Sequence, residues 1–261
     1  MYNKENILKE LKLNEELHLI IKDEVGSTNT ELQLLAKKGA AEFTVMLTES
    51  QTGGKGRMGR TFHSPKGSGI YMSILLKPGF APRECNLLTP MTAVAAAEAI
   101  EKVTGVKTDI KWPNDIYKNG KKVGGILTKA AFSSPGKTDY VIVGIGINLT
   151  EPEGGFHKEI EDVAGALKSE ASLFERDRLT GAFLSFFVSY YKALPQVIFK
   201  DEYEKRLLYV GEKIRVIEKG NFYFAEAVGV DKSFCLEVIT EKGEKKTLYT
   251  EEVSIRTNKN S

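Results

Sequence analysis

The apolar positions along the chain alternate between two spacings. Residues 17–25 (LHLIIKDEV) and 43–48 (FTVMLT) are short apolar runs, the mark of strands. Between them, residues 28–38 carry Leu32, Leu35 and Ala36 at helical spacing and stop at Gly39, which predicts a helix. Residues 68–76 predict a third strand. Residues 90–103 give the clearest helix, with Pro90 at its start, alanine throughout and Gly105 beyond its end; Val94, Ala97 and Ile100 form its core stripe. A short strand is expected at 108–112 and a hairpin at 116–131 around Asn119-Gly120, a strong turn dipeptide. Residues 140–147 (YVIVGIGI) read as an apolar strand whose glycines let something approach the backbone. The first 16 residues are polar and weakly helical. From 159 to 209 the spacing is helical, with Phe183, Phe186, Phe187 and Tyr190 as core residues. Beyond Gly211, alternating runs at 213–217, 223–230, 235–239, 246–249 and 253–256 are divided by turns at 219–221, 231–233 and 242–244. That pattern predicts a small SH3-like β-barrel over 211–261, with a domain boundary near residue 210.

Composition narrows the function. The chain has 261 residues, with 37 Lys and Arg against 35 Asp and Glu, a net charge of +2. This balance argues against a broad nucleic-acid-binding face but leaves room for a local anion site. No apolar run approaches the roughly 20 residues of a spanning helix. The start, MYNKENILKELKLNEELH, has charges of both signs and no apolar core, so no signal peptide is expected. Cys85 and Cys235 show neither CxxC nor metal spacing, which points to a reducing cytosol.

Four segments carry candidate chemistry. Residues 51–60 (QTGGKGRMGR) place four glycines and three cations within ten positions. Glycines let a ligand approach the backbone N–H groups, and Lys and Arg match phosphate or carboxylate. The spacing fits neither a Walker A loop nor a dinucleotide-binding fingerprint. Residues 111–115 (KWPND) hold the only Trp, followed by Lys122 and Gly124-Gly125. Ser27-Thr28-Asn29 stand at a strand-to-helix junction and Gly144 to Asn148 at a strand end. Composition alone leaves alternatives open: a basic surface loop, a lysine-rich hairpin, a helix N-cap and a turn-favouring Asn. His18, His63 and His157 lack the pairing of a zinc site, and no Gly-x-Ser-x-Gly elbow is present.

Taken in order, these segments resemble the biotin protein ligases: Ser27-Thr28-Asn29, residues 54–60, residues 111–115 with Lys122 and Gly124-Gly125, and residues 144–148. Residues 252–256 (EVSIR) are similar to the family's ending. The likeness spans about residues 17–256. It implies an α+β fold, with a mixed-sheet, class II synthetase-like core flanked by helices over 1–210. It also implies an ATP-dependent ligase that makes biotinyl-5′-AMP and passes biotin to one lysine of a carrier domain. The implied biotin-binding residues are Ser27, Thr28, Asn29, Gln51, Lys55, Gly56, Arg57, Lys122 and Gly125. The implied ATP-binding residues are Lys55, Arg57, Arg60, Phe62, Trp112, Asn114, Asp115, Lys122 and Asn148. Lys122 and Arg57 are the implied catalytic residues, no resident protein-bound metal is expected, and Mg²⁺ arrives with the phosphates. Lys55 stands where the family commonly has Arg, and Glu251 where it often has Gly.

Two rivals remain. A lipoate protein ligase shares the fold and adenylate chemistry but has no ureido group to recognise. A repressor responding to biotinyl-AMP requires a DNA-binding module, and only 16 residues precede the first predicted strand. The expected partner is therefore a biotin carboxyl carrier domain, with no DNA and no membrane, and the enzyme is expected to be cytoplasmic. A homodimer joined at sheet edges is consistent with the resemblance.

Overall fold

A computed structural model describes residues 1–11, 16–134, 136–218, 221–249 and 253–257. Lys219 and Gly220 of one expected turn, and Glu251 and Glu252 of the closing motif, lie outside the described residues.

A short helix, α1 (Lys4–Lys9), precedes strand β1 (His18–Val25). Helix α2 (Thr28–Lys37) then leads to β2 (Thr44–Gln51) and, beyond a loop, to β3 (Gly69–Leu76). Helix α3 (Leu88–Thr104) follows, then β4 (Asp109–Lys111), β5 (Asp115–Lys118), β6 (Lys121–Ser134) and β7 (Lys137–Asn148). Helices α4 (Leu173–Lys192) and α5 (Lys200–Arg206) complete the first part. Seven strands form one mixed sheet in the order β1-β2-β3-β7-β6-β5-β4. Only β1 and β2 pair in parallel, because α2 carries the chain back to the start of the sheet before β2 begins. The remaining neighbours are antiparallel. The β5–β6 hairpin turns at Asn119 and Gly120, both with positive φ (50° and 77°), as that dipeptide predicts.

The sheet's two faces are unequal. Val45, Leu47, Ile70, Met72, Ile74, Val143 and Ile145 pack with α3 and α4 in the main core. Helix α3 is apolar nearly all round, and most of its positions are buried, since it lies inside the protein and not on its rim. It ends at Gly105 in the left-handed conformation, φ 71°. The other face carries α2 over a small cluster of Leu32, Ala36, Met46, Leu75 and Ile142. That helix covers only part of the face.

A five-stranded antiparallel sheet follows, β8 (Lys213–Glu218), β9 (Asn221–Val230), β10 (Leu236–Thr240), β11 (Lys245–Leu248) and β12 (Val253–Thr257). Its order is β11-β10-β9-β8-β12, an SH3-like arrangement. Its inward residues Ile214, Val216, Ala225, Ala227 and Val238 join the main core.

One expectation fails. Residues 159–172 are not helical; α4 begins at Leu173, after Ser172 caps it by accepting from Glu175 N–H. Their backbone is drawn to the β5–β6 hairpin instead. Lys122 N–H donates to Val163 O (2.7 Å) and Gly165 N–H to Lys122 O (2.8 Å). Lys121 Nζ donates to the carbonyls of Glu161 and Asp162. These partners satisfy peptide groups that a helix would have paired locally.

Beneath the sheet, Arg176 of α4 is 1% exposed and meets Glu49 of β2 through two bonds, 2.7 and 3.0 Å. Tyr2 lies on the guanidinium at 3.8 Å and donates its N–H to Glu49 (2.8 Å). Burial pushes the Glu49 pKa up, but the bond and charge of Arg176 outweigh it and hold the carboxyl below its usual range. The paired carboxylate thus stabilises the fold above its unfolded pKa, and the effect fades as pH falls through the lowered folded value. Replacing Arg176 with Met strands a buried carboxylate. The variant is expected to lose about 3–5 kcal/mol in urea unfolding at neutral pH, and Arg176→Met/Glu49→Leu to regain much of that. A single variant as stable as the wild type would show that the pair is not structural.

Candidate active site

The uncovered part of the α2 face is a cleft of about 540 Å³. Its floor is the middle of the sheet, where β3, β7 and β6 bring Tyr71, Gly146 and Gly125 into one row and Ser73, Gly144 and Leu127 into the next. A Cβ on Gly144 would lie 2.4 Å from Asn29 Oδ1, and one on Gly146 2.3 Å from the Phe62 ring. Both glycines are therefore required by close approach, which is what the YVIVGIGI pattern signalled.

At one end is a hydrogen-bond network. Ser27 occupies the N-cap position of α2, but its side chain makes no cap bond. The helix end is served from elsewhere: Thr28 N–H donates to Gln51 Oε1 (2.9 Å), and Gln51 Nε2 donates to Ser64 Oγ (2.9 Å). Ser73 Oγ lies 2.7 Å from Thr28 Oγ1 and 2.6 Å from Asn29 Oδ1, while Asn29 Nδ2 donates to Leu127 O (3.3 Å). Ser27, Thr28 and Asn29 are all buried. The network fixes donors and acceptors at set positions, as recognition of a small polar ring requires.

The glycine-rich loop forms the roof. Lys55 Nζ donates to Thr30 Oγ1 (2.8 Å), and Gly56 N–H to Arg60 O (2.7 Å), which folds the loop back on itself. Arg57 begins a single 3₁₀ turn (Arg57–Gly59) and donates to Asn114 Oδ1 (3.2 Å). Asn114 is held in turn by Ile126 O, 2.8 Å from its Nδ2. Burial lowers the Arg57 pKa, Asp115 opposes that, and Arg60 adds to it. Lys122 Nζ is 2.5 Å from Asp115 Oδ1. Trp112 lies at the far end, 2% exposed, its indole N–H donating to Phe234 O (2.9 Å). Asn148 Nδ2 donates to Gly165 O (3.0 Å).

All the residues implied to bind biotin or ATP line this cleft: Ser27, Thr28, Asn29, Gln51, Lys55, Gly56, Arg57, Arg60, Phe62, Trp112, Asn114, Asp115, Lys122, Gly125 and Asn148; Gly53, Gly54, Gly59 and Gly124 of the same segments do not. Sequence reasoning missed Ser64 and Ser73, which hold the network together; a Ser in the middle of the apolar run IYMSILL was the available signal for Ser73. It also missed the meeting of His63 and His157, whose rings are 4.1 Å apart. Burial and the His157 charge lower the His63 pKa. Phe156, and Ile160 and Val163 of the segment expected to be helical, also line the cleft.

Residues 23–148 match the model of the biotin/lipoate A/B protein ligase family. The bifunctional ligase/repressor BirA of Bacillus spizizenii is 35% identical over 244 residues, covering 91% of this chain and 74% of that one. The chain belongs to the biotin protein ligase family. The biotin–[acetyl-CoA-carboxylase] ligase of Mycobacterium tuberculosis is 27% identical, over 82% of this chain and 81% of its own. The biotin protein ligase of Aquifex aeolicus, solved in complex with biotin and ATP, superposes with a TM-score of 0.73 at 28% identity, over 92% of this chain and 99% of that one. As in other biotin protein ligases, the core is a mixed sheet with flanking helices, followed by a small β module.

The close approach at Gly144 has a direct consequence. Gly144→Ala is expected to cost about 1–3 kcal/mol by forcing Asn29 off its partners. Gly79→Ala, which meets open space, should change stability by less than about 0.5 kcal/mol. Equal chemical-denaturation midpoints for the two variants would contradict this account.

Proposed function

We propose that this protein activates biotin with ATP to biotinyl-5′-AMP and pyrophosphate, then transfers the biotinyl group to a lysine of a biotin carboxyl carrier domain. The observation that carries the reading is one cleft with two chemistries: the Ser27–Asn29 and Gln51 network at one end, and Lys55, Arg57, Arg60 and Lys122 around its middle. The network suits a ureido ring, which both donates and accepts; a dithiolane has no use for it. The cations suit a carboxylate meeting a phosphate. Those two anions repel, and neighbouring cations remove the repulsion as the carboxylate oxygen attacks the α-phosphorus and pyrophosphate departs. In this reading Lys122 leaves Asp115 for the biotin carboxylate and α-phosphate, and Arg57 spans the same atoms. Lys55 and Gly56 fold over them, with Gly125 in the floor. Arg60 and Phe62 close the loop on the adenylate. Trp112, Asn114, Asp115 and Asn148 bound the nucleotide side.

Magnesium enters on the nucleotide. Among the described residues no three His, Cys, Asp or Glu side chains converge as a metal cage, but Asp115 and Glu159 line the cleft, and an ion held mainly by phosphates needs only one or two carboxylates. When bound it neutralises the β- and γ-phosphates. Residues 1–210 act as the catalytic core and 211–261 as an accessory module. The near-balance of charge supports a protein partner in preference to DNA, and the two buried cysteines, which are not joined in a disulfide, support a cytoplasmic setting. A homodimer would join at the sheet edge of β1, since at the opposite edge β4 already meets Leu207.

Pyrophosphate release tests the first step. The wild type should release it with biotin and ATP but not with lipoate, and Lys122→Ala should lower the rate by at least about 100-fold, the scale of losing one charge-stabilising donor. Full activity in that variant would remove Lys122 from the mechanism. Arg57→Gly should still make biotinyl-AMP but let it escape, read as intermediate in the filtrate. Retention equal to the wild type would refute the lid role of the loop.

A further inference from the structure

A second groove, about 290 Å³, opens beside the cleft. The two share Arg57, Trp112, Pro113, Asn114, Ile126 and Leu127, so they are separated by a thin wall at which Arg57 bonds to Asn114. The shared residues run along the cleft from Leu127, whose carbonyl accepts from Asn29, past Arg57 and Asn114 to Trp112 at the far end. Beyond them the groove runs between the start of α3 and the C-terminal module, past Cys85 and Phe234. Its outer rim carries Phe132 and Tyr249, 56% and 63% exposed. Among the described residues lining it there is no carboxylate, and Arg57 is the one charged side chain.

Resting on the reading above, we propose that this groove receives the acceptor segment of the carrier protein and delivers its lysine to the mixed anhydride at Arg57. The chemistry of the groove fits that task. A lysine attacks only as the neutral amine. An acid-free, partly apolar channel leading to a guanidinium disfavours the ammonium form and so favours the nucleophile. The amine nitrogen bonds to the acyl carbon, the bond from that carbon to the phosphate oxygen breaks, and AMP leaves with the bonding electrons. The nitrogen gives up a proton to solvent, leaving a neutral amide. Exposed aromatics at the mouth are the side chains that anchor a partner most strongly.

Phe132→Asp and Tyr249→Asp test the proposal in the full-length protein, with the biotinyl domain of a bacterial acetyl-CoA carboxylase as acceptor. Pyrophosphate release from biotin and ATP, and turnover with hydroxylamine as a small nucleophile, should stay within about twofold of the wild type. The KM for the carrier domain should rise by at least about tenfold. Asn86→Trp, at an exposed position in the 3₁₀ turn just before α3 and also lining the groove, gives an independent block should either variant fail to fold. An unchanged carrier KM in folded variants overturns the proposal. So does an equal fall with hydroxylamine, or a change only in the protein's mass in solution, which would mark the rim as a contact between copies. A wild type that forms no biotinyl-AMP refutes the ligase reading itself; normal adenylate with unaltered carrier KM refutes only the groove.

Discussion

The site depends on a strip of sheet without side chains. Gly144 and Gly146 alternate along the central strand β7, so both face the side that α2 leaves uncovered. Any Cβ there would collide with Asn29 or Phe62. Because the strip is bare, the helix end of α2 sinks onto the sheet and its polar residues reach strand level, where Ser73 and Gln51 fix them. The ring of Phe62 can settle over the neighbouring position and bring the glycine-rich loop down with it. Larger residues would fill the trough and lift both roof and wall away.

Charge is distributed to suit that trough. A cluster of cations in a partly buried cleft is costly unless something offsets it. Asp115 does so, paired to Lys122 and acting on Arg57. In the proposed reaction an anionic ligand takes over the same role, one counter-charge replacing another. On the opposite side of the sheet, the buried Arg176–Glu49 pair has no such exchange available. It joins α4 to β2 and fastens the segment around Tyr2 against both. Two ion pairs of similar chemistry thus serve different ends, according to whether solvent and ligand can reach them.

Much of the fold was legible from spacing and punctuation. The strand periods, the alanine-rich helix with its glycine stop, the Asn119-Gly120 turn and the runs after Gly211 all depend on neighbours close in sequence, and local sterics decide them. Residues 159–172 show where that reasoning ends. Their side chains suggest a helix, but the hairpin at 118–124 offers their peptide groups better partners, and those partners are distant in sequence. Ser27 is a similar case: it stands at an N-cap, as its type predicts, yet Gln51, 23 positions beyond Thr28, serves the helix end.

The sequence by itself determined which residues are candidates for the chemistry, because four separate segments with glycine, lysine, arginine and asparagine matched one family's pattern in order. Tertiary structure alone decided how they are used: that the segments converge on one cleft, that Asp115 counters Lys122, that Ser64 and Ser73 brace the network, that His63 meets His157, and that a second groove opens at Arg57. The physical reason is one of range. Backbone preference and apolar period act over a few residues and are written in the chain. Charge pairing, burial and cavity shape arise between separate elements, such as those of His63 and His157 or of Glu49 and Arg176, and exist only once the sheet has brought them together.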